Sequence, residues 1–416
     1  PGIITPNFER LAARGVTFRQ AYCPAPICNA SRAAMLTGVR PSSSGIYSND
    51  PPWQTRLPNA VTLPEAFGRQ GWRTAAVGKV FHGYFRYPPF SQPATSARWE
   101  AAGEKPGVWG NYSPYPDDPL PPHRPVNGLV LDGANFDWGP WPSRKEESPD
   151  WHTVRFVEDF LAESQPAPFF LGAGLYRPHL PWYVPQRFYD LYPLDRITLP
   201  ETRADDLDDL PPVGRSMAAI QIHKKIVDAD QWKKAIQAYL ACITFADHCL
   251  GALLDALDRS PHADNTIIAL WSDHGWHLGE KQHWRKFTLW ERATHAPFIM
   301  AGPGIARGAV CDQPVELLGL YPTLTELAGV PLPPGPEGRS LVPLLKNPGQ
   351  DWPYPAVTTW LKGNHAVRFG PWRYIRYHDG GEELYDHRSD PNEFTNLASD
   401  PQFAATIAQL RAYLPG

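Results

Sequence analysis

The chain is short of cysteine, has no excess of either charge and carries no long apolar run. Five Cys in 416 residues is a small and odd number, which argues against a disulfide framework. Cys242 and Cys249 stand seven residues apart in a helix-like stretch, so their rise separation is about 10 Å, too far for a bridge between them. Lys plus Arg number 39 against 43 Asp plus Glu, a net charge of −4. A nucleic-acid footprint would be basic and clustered, so that class of partner is not expected. No apolar run approaches the ~18 residues of a membrane span, so no membrane contact is expected either. No repeat recurs at the ~20–50-residue periods of solenoids or propellers.

What is present is a globular composition with much punctuation. Hydrophobic residues make up 42% and charged residues 20%, enough apolar material for a large core and too little charge for a disordered chain. The 48 Pro and 33 Gly exceed the usual ~12% share and predict many turns and long loops. Residues 85–150 are the extreme case, rich in Pro and Gly and carrying Trp99, Trp109, Trp138 and Trp141. A stretch this long without periodic structure is uncommon unless functional, and its aromatics argue against disorder. Those rings could equally stack on sugars or pack the loop itself.

Strand and helix patterns alternate along the chain. Thr5-Pro6 opens a short helix with Thr5 as the N-cap. Thr62-Leu63-Pro64-Glu65 reads as a capping box, and Gly71 stops the helix that follows. Residues 74–77, 168–174 and 266–271 read as buried strands. Trp232, Ile236, Tyr239, Ile243, Leu250, Leu253 and Leu257 keep helical spacing through 231–258. A Pro-rich linker at 331–336 leads to short strands at 365–369, 372–377 and 383–385. The pattern predicts an α/β fold in which a mostly parallel sheet is flanked by helices. The expected division is a core over 1–335 and a smaller C-terminal α+β subdomain over 336–416 with an antiparallel sheet.

A polar cluster directly follows each predicted buried strand: Lys79 to His82 after the first, Tyr176 to His179 after the second and Ser272 to Gly275 after the third. In open parallel sheets ligands bind beyond the carboxyl ends of the strands. Lys, His, Arg and Asp at three such ends point to an anion-and-metal site. A fourth cluster is Cys28-Asn29-Ala30-Ser31-Arg32, followed by Leu36-Thr37-Gly38. Cys28 stands just before a helix-like turn, where free amides favour an anion, and Arg32 four residues on can return to the same spot. His277 and His283 suggest zinc together with His274, but no Cys or spaced carboxylate completes a closed site, so a structural role is expected for both.

Together these segments resemble the type I sulfatase family of the alkaline phosphatase superfamily. The signature stands here as Cys28-x-Ala30-x-Arg32 with Leu36-Thr37-Gly38. Thr5-Pro6-Asn7, Gly78-Lys79, Ser272-Asp273-His274-Gly275 with Leu278-Gly279-Glu280, and Leu384-Tyr385-Asp386 are similar to the family as well. Arg177-Pro178-His179-Leu180-Pro181 is closest to its iduronate 2-sulfatase branch. The resemblance implies an alkaline phosphatase-like fold and hydrolysis of a sulfate ester of a sugar. It implies that a formylglycine-generating enzyme converts Cys28 to formylglycine, whose hydrate supplies the nucleophilic hydroxyl. Arg32 and Lys79 would hold that hydrate, His82 would be the base that drives sulfate expulsion, and His179 and Lys286 would bind sulfate and assist the leaving oxygen. Asp273, His274 and an oxygen of residue 28 would hold a divalent metal, Ca²⁺ first, with Mg²⁺ or Mn²⁺ as alternatives. A periplasmic or secreted location is expected.

Two departures from the family pattern matter. Family members carry an Asp-Asp pair before the Thr-Pro-Asn segment, whereas the first Asp here is Asp50. The expectation is that the first core strand and two metal ligands are missing from this sequence. Asp117-Asp118, Asp205-Asp206 and Asp208-Asp209 are not expected to replace them. Residue 30 is Ala where the commoner form has Pro. Two other activities compete: a phosphatase or phosphonate monoester hydrolase of the same superfamily, and a non-catalytic carbohydrate-binding relative.

Overall fold

The computed structural model describes residues 2–50, 52–82, 111–113, 120–131, 135–141, 148–163 and 168–415. Two compact units divide the chain. The first comprises 1–11, 67–200 and 221–266, and the second 12–66, 201–220 and 267–416.

The first unit is built on a three-stranded parallel sheet. Arg73–Gly78 runs centrally between Asn111–Ser113 and Phe169–Gly174, with Ala75 in register with Leu171. Small and β-branched residues at 74–77 suit a strand covered on both faces, and all four are buried. A parallel pair, Trp138–Trp141 with Trp182–Pro185, forms a second ribbon. Trp138 and Trp182 pack at 5.8 Å between centroids, so in the described part of 85–150 these aromatics fill a core. Trp99 and Trp109 lie outside the described residues.

Two helices cover this unit, Pro149–Ala162 and Trp232–Arg259. Ser148 caps the first by accepting from Trp151 N at 3.1 Å, with Pro149 in the first turn. The second is 28 residues long and apolar enough to cross a membrane by length and composition. Interspersed polar residues hide this from a count of uninterrupted apolar positions. Most of it is buried within the protein, as expected of a core helix. Its Asp247 accepts from Asn7 N at 3.0 Å and Phe8 N at 2.8 Å. Thr5 stands at the expected N-cap position, its carbonyl accepting from Glu9 N at 3.2 Å, while the side chain that caps the first turn comes from another helix.

The second unit carries a four-stranded sheet in the order Ala309–Cys311, Gly15–Phe18, Phe298–Ala301, Ile268–Trp271. Phe298–Ala301 is antiparallel to both of its neighbours, so the other three strands are parallel to one another. At Gly15 a Cβ would stand 2.0 Å from the Met300 carbonyl oxygen, so the register there requires glycine. Val16, Phe18, Phe298 and Met300 join Leu317, Leu320 and Leu344 in one core. Helix Cys28–Thr37 is buried along most of its length, and Ala30, Ala33 and Ala34 allow close approach. Gly38, at φ 76°, ends it.

A four-stranded antiparallel meander, Ala356–Thr359, His365–Phe369, Trp372–Arg376 and Glu382–Asp386, completes this unit. Helix Ala404–Arg411 packs Ile407 and Leu410 on it. Its first strand grips the segment before Cys28: Thr359 N donates to Pro24 O at 2.9 Å and Thr358 Oγ1 to Cys23 O at 2.6 Å. Beneath it Arg373 is buried between Glu291 and Glu393, with Tyr22, Arg368 and His387 around them. All five cysteines are buried free thiols.

Candidate active site

In the second unit the site begins at the N-terminus of helix Cys28–Thr37. Ile27 is extended, and no side chain caps the first turn. The Cys28 thiol is buried in that first turn. Lys286 Nζ donates to its Sγ at 2.9 Å, and His274 Nε2 lies 3.3 Å away. His274 Nδ1 faces Gly275 O at 2.9 Å. A carbonyl only accepts, so Nδ1 carries a proton, and Nε2 is the ring atom that faces residue 28. Arg32 Nε donates to Asp273 Oδ2 at 2.7 Å, and Ser31 Oγ donates to Asp273 O at 2.5 Å. One turn of helix thereby fixes the strand-end loop 272–275. Asn29 anchors the same turn through Asn49 Oδ1 and Ser48 O.

Cys28, Asp273 and His274 offer ligand atoms that all lie within 4.8 Å of one another. This donor set fits a cation on one side: sulfur, one carboxylate and one imidazole suit a borderline ion. Exchanging the sulfur for oxygen would turn the set toward a hard one. Glu291, His387 and Glu393 are equally close, but Arg373 stands between the two carboxylates, which makes them an ion-pair network.

In the first unit the polar clusters do follow their strands. Lys79 N bonds to Gly174 O at 3.0 Å, and the Lys79 ammonium lies 5.0 Å from the Tyr176 ring centroid. His179 packs on the same ring at 5.0 Å between centroids, the Arg177 guanidinium lies 5.3 Å from it, and His179 Nδ1 faces Leu180 O at 2.7 Å. His82 is half-buried beyond Lys79. Thus Cys28, Arg32, Asp273, His274 and Lys286 assemble in one unit, and Lys79 and His179 meet at Tyr176 in the other. Arg177 is a scaffold: its guanidinium donates twice to Tyr183 O, at 3.1 and 3.0 Å.

Several residues of these clusters were not singled out by sequence. Asp150 accepts from Tyr176 N at 2.5 Å and Arg177 N at 3.1 Å, fixing the turn that carries His179. Its helix-start context Ser148-Pro149-Asp150 is readable, but its target 26 residues on is not. Ser31 is likewise hidden, because it bonds to a backbone carbonyl. His277 and His283 are buried neutral imidazoles. His277 faces Thr288 Oγ1 at 3.0 Å and His283 faces Lys286 O at 2.6 Å. Burial pushes the pKa of His277 well below that of ordinary histidine and that of His283 down to about 4.

The described loop carboxylates have other partners. Asp205 pairs with Arg203, Asp206 with Lys281 and Asp208 with Arg215, while Asp209 accepts from Asn396 N. Asp117-Asp118 lie outside the described residues.

The model of the family described as sulfatase matches residues 1–330. The chain belongs to the sulfatase family. It is a sulfuric ester hydrolase, and the model named for the C-terminal part of N-sulphoglucosamine sulphohydrolase matches its residues 279–415. A sulfatase of Formosa agariphila is 43% identical over 99% of this chain and 82% of its own length. Mouse iduronate 2-sulfatase is 30% identical over 79% of this chain and 65% of its own length. Among solved structures, a phosphonate monoester hydrolase from Silicibacter pomeroyi superposes with a TM-score of 0.74 at 21% identity, covering 99% of this chain and 89% of that one. A solved 2-O GAG sulfatase gives 0.72 at 24% identity, covering 99% and 85%. These two likenesses establish the alkaline phosphatase-like α/β fold.

Proposed function

We propose that this sulfatase removes sulfate from a sulfated carbohydrate at residue 28, after oxidation of Cys28 to formylglycine. The observation that carries the proposal is the thiol held at a helix start between the Lys286 ammonium and the His274 imidazole, beside the Arg32–Asp273 pair. The hydrated aldehyde would supply a hydroxyl able to attack sulfur. Lys286 and the helix N-terminus would face the negative oxygens of the ester, where fixed positive groups are most effective. Arg32 would hold the Asp273 carboxylate and the hydrate at residue 28. Asp273, His274 and residue 28 would hold a divalent cation, Ca²⁺, Mg²⁺ or Mn²⁺, which supplies Lewis-acid polarisation of the ester.

Lys79, His82 and His179 would bind sulfate, drive its expulsion and protonate the leaving oxygen. Support for a sugar substrate comes from relatives named for it. Besides mouse iduronate 2-sulfatase, a Bacteroides thetaiotaomicron protein named Delta 4,5-hexuronate-2-O-sulfatase is 27% identical over 98% of this chain. Periplasmic or secreted placement would suit an extracellular polysaccharide as substrate. A phosphonate monoester hydrolase activity is the second reading, favoured by the fold likeness. The test is paired turnover of aryl sulfate and aryl phosphate, with mass spectrometry of residue 28. Preference for the sulfate ester with formylglycine present supports the proposal. Full turnover with an intact thiol would overturn the mechanism, and preference for the phosphate would favour the second reading.

A further inference from the structure

We infer that His283 is a positioning residue that fixes Lys286 against residue 28. This rests on the reading that Lys286 acts on the ester held there. Lys286 lies in an unusual stretch of backbone. Arg285 has φ 77° and Phe287 has φ 80°, the left-handed region that side chains with a Cβ rarely occupy. A segment with such residues on both sides of its functional lysine does not keep its shape unaided.

Three ties hold it. Trp284 and Arg285 pair with Leu278 and His277 in a short antiparallel ribbon, and Trp284 is fully buried. Phe287 N donates to Pro26 O at 3.2 Å, two residues before Cys28. His283 Nε2 meets the carbonyl oxygen of Lys286 itself at 2.6 Å. The last two hold the two ends of one peptide unit, the Phe287 amide and the Lys286 carbonyl, and His283 is the side chain among them.

The chemistry of that bond is determined by its acceptor. A carbonyl cannot donate, so in this bond Nε2 is the donor; the backbone of Met217 is a second contact of the same ring. The ring is buried and packs edge-on to His277 at 5.0 Å and to Trp290 at 6.4 Å. It touches backbone, so it orients the lysine without joining the chemistry. Rotation of the Lys286 carbonyl would swing the side chain off the thiol it now reaches at 2.9 Å. A displacement of about 1 Å in a catalytic group can lower the rate a hundredfold.

The experiment compares His283→Phe and His283→Leu, which remove the donor, with His283→Gln, which retains one. Each is made alone and with Lys286→Met in the full chain. Turnover of an aryl sulfate is read as kcat and KM separately, with formylglycine content at residue 28 and the melting midpoint measured alongside. The donor-free variants should lower kcat about tenfold or more with KM nearly unchanged. His283→Gln should recover most of that loss, and donor-free variants should add nothing in the Lys286→Met background. Normal kcat in a donor-free variant while Lys286→Met is inactive would overturn this inference alone, as would additive losses in the double variants. Full turnover of Lys286→Met would overturn the role of Lys286 and this inference with it.

Discussion

Residue 28 is small, buried and at the start of a helix, so its replacement separates chemistry from folding. Cys28→Ala should abolish sulfate ester turnover and leave the melting midpoint within a few degrees, because little packing volume is removed. Cys28→Ser should be nearly inactive too, since a serine hydroxyl is not a hydrated aldehyde. Calorimetry together with an aryl sulfate assay checks both. Buried charges give a second residue-scale prediction. Burial opposes ionisation of Glu291, but Arg373, His295, His387 and Arg368 outweigh it and hold the carboxyl at about 2. A carboxyl lowered from its usual ~4.3 stabilises the fold fully above that pH and loses the contribution as pH falls toward 2. His283, depressed by burial to about 4 from ~6.5, stabilises fully above pH ~6.5 and loses it as pH falls through 4. Stability should therefore decline in two stages on acidification. Glu291→Gln should flatten the lower stage and cost about 3–5 kcal/mol at neutral pH by leaving Arg373 incompletely compensated. Urea melts across pH would show an unchanged lower limb if this is wrong.

Among the secondary-structure elements, local signals were legible and remote ones were not. The strands at 73–78, 169–174 and 268–271 were readable as short apolar runs, and the capping box at Thr62 and Glu65 forms reciprocally, at 3.4 and 3.3 Å. Thr5 was placed correctly at the start of helix Pro6–Ala12, but the side chain that caps it was not legible because Asp247 stands 240 residues away. Asp247→Ala should cost about 1–3 kcal/mol, since it strands the Asn7 and Phe8 amides. Amide exchange should rise in 6–12 before the rest of the unit, and uniform exchange would refute the assignment. The site followed the same division. Cys28, Arg32, Asp273 and His274 were legible because two short motifs carry them. The bonds of Ser31, Asp150 and His283 end on backbone atoms, which no side-chain pattern records.

A cation held at the proposed site would link folding to ion binding for the molecule as a whole. A cation that binds only the folded chain raises stability by RT ln(1 + [L]/Kd). Among the described residues the group Cys28, Asp273 and His274 contributes a single carboxylate, so its calcium affinity should be weak, about 10⁻⁴–10⁻³ M. The melting midpoint should rise only at millimolar calcium, and Asp273→Asn should remove the response. Saturation at micromolar calcium would mean that further carboxylates complete the shell. The five buried thiols bear on how the protein withstands its surroundings. No covalent cross-link ties distant parts of the chain, so a strong reductant has nothing structural to cut. The fold should melt at the same temperature with or without dithiothreitol. At residue 28, oxidation of a thiol, a form of damage in most proteins, would here be the step that completes the enzyme.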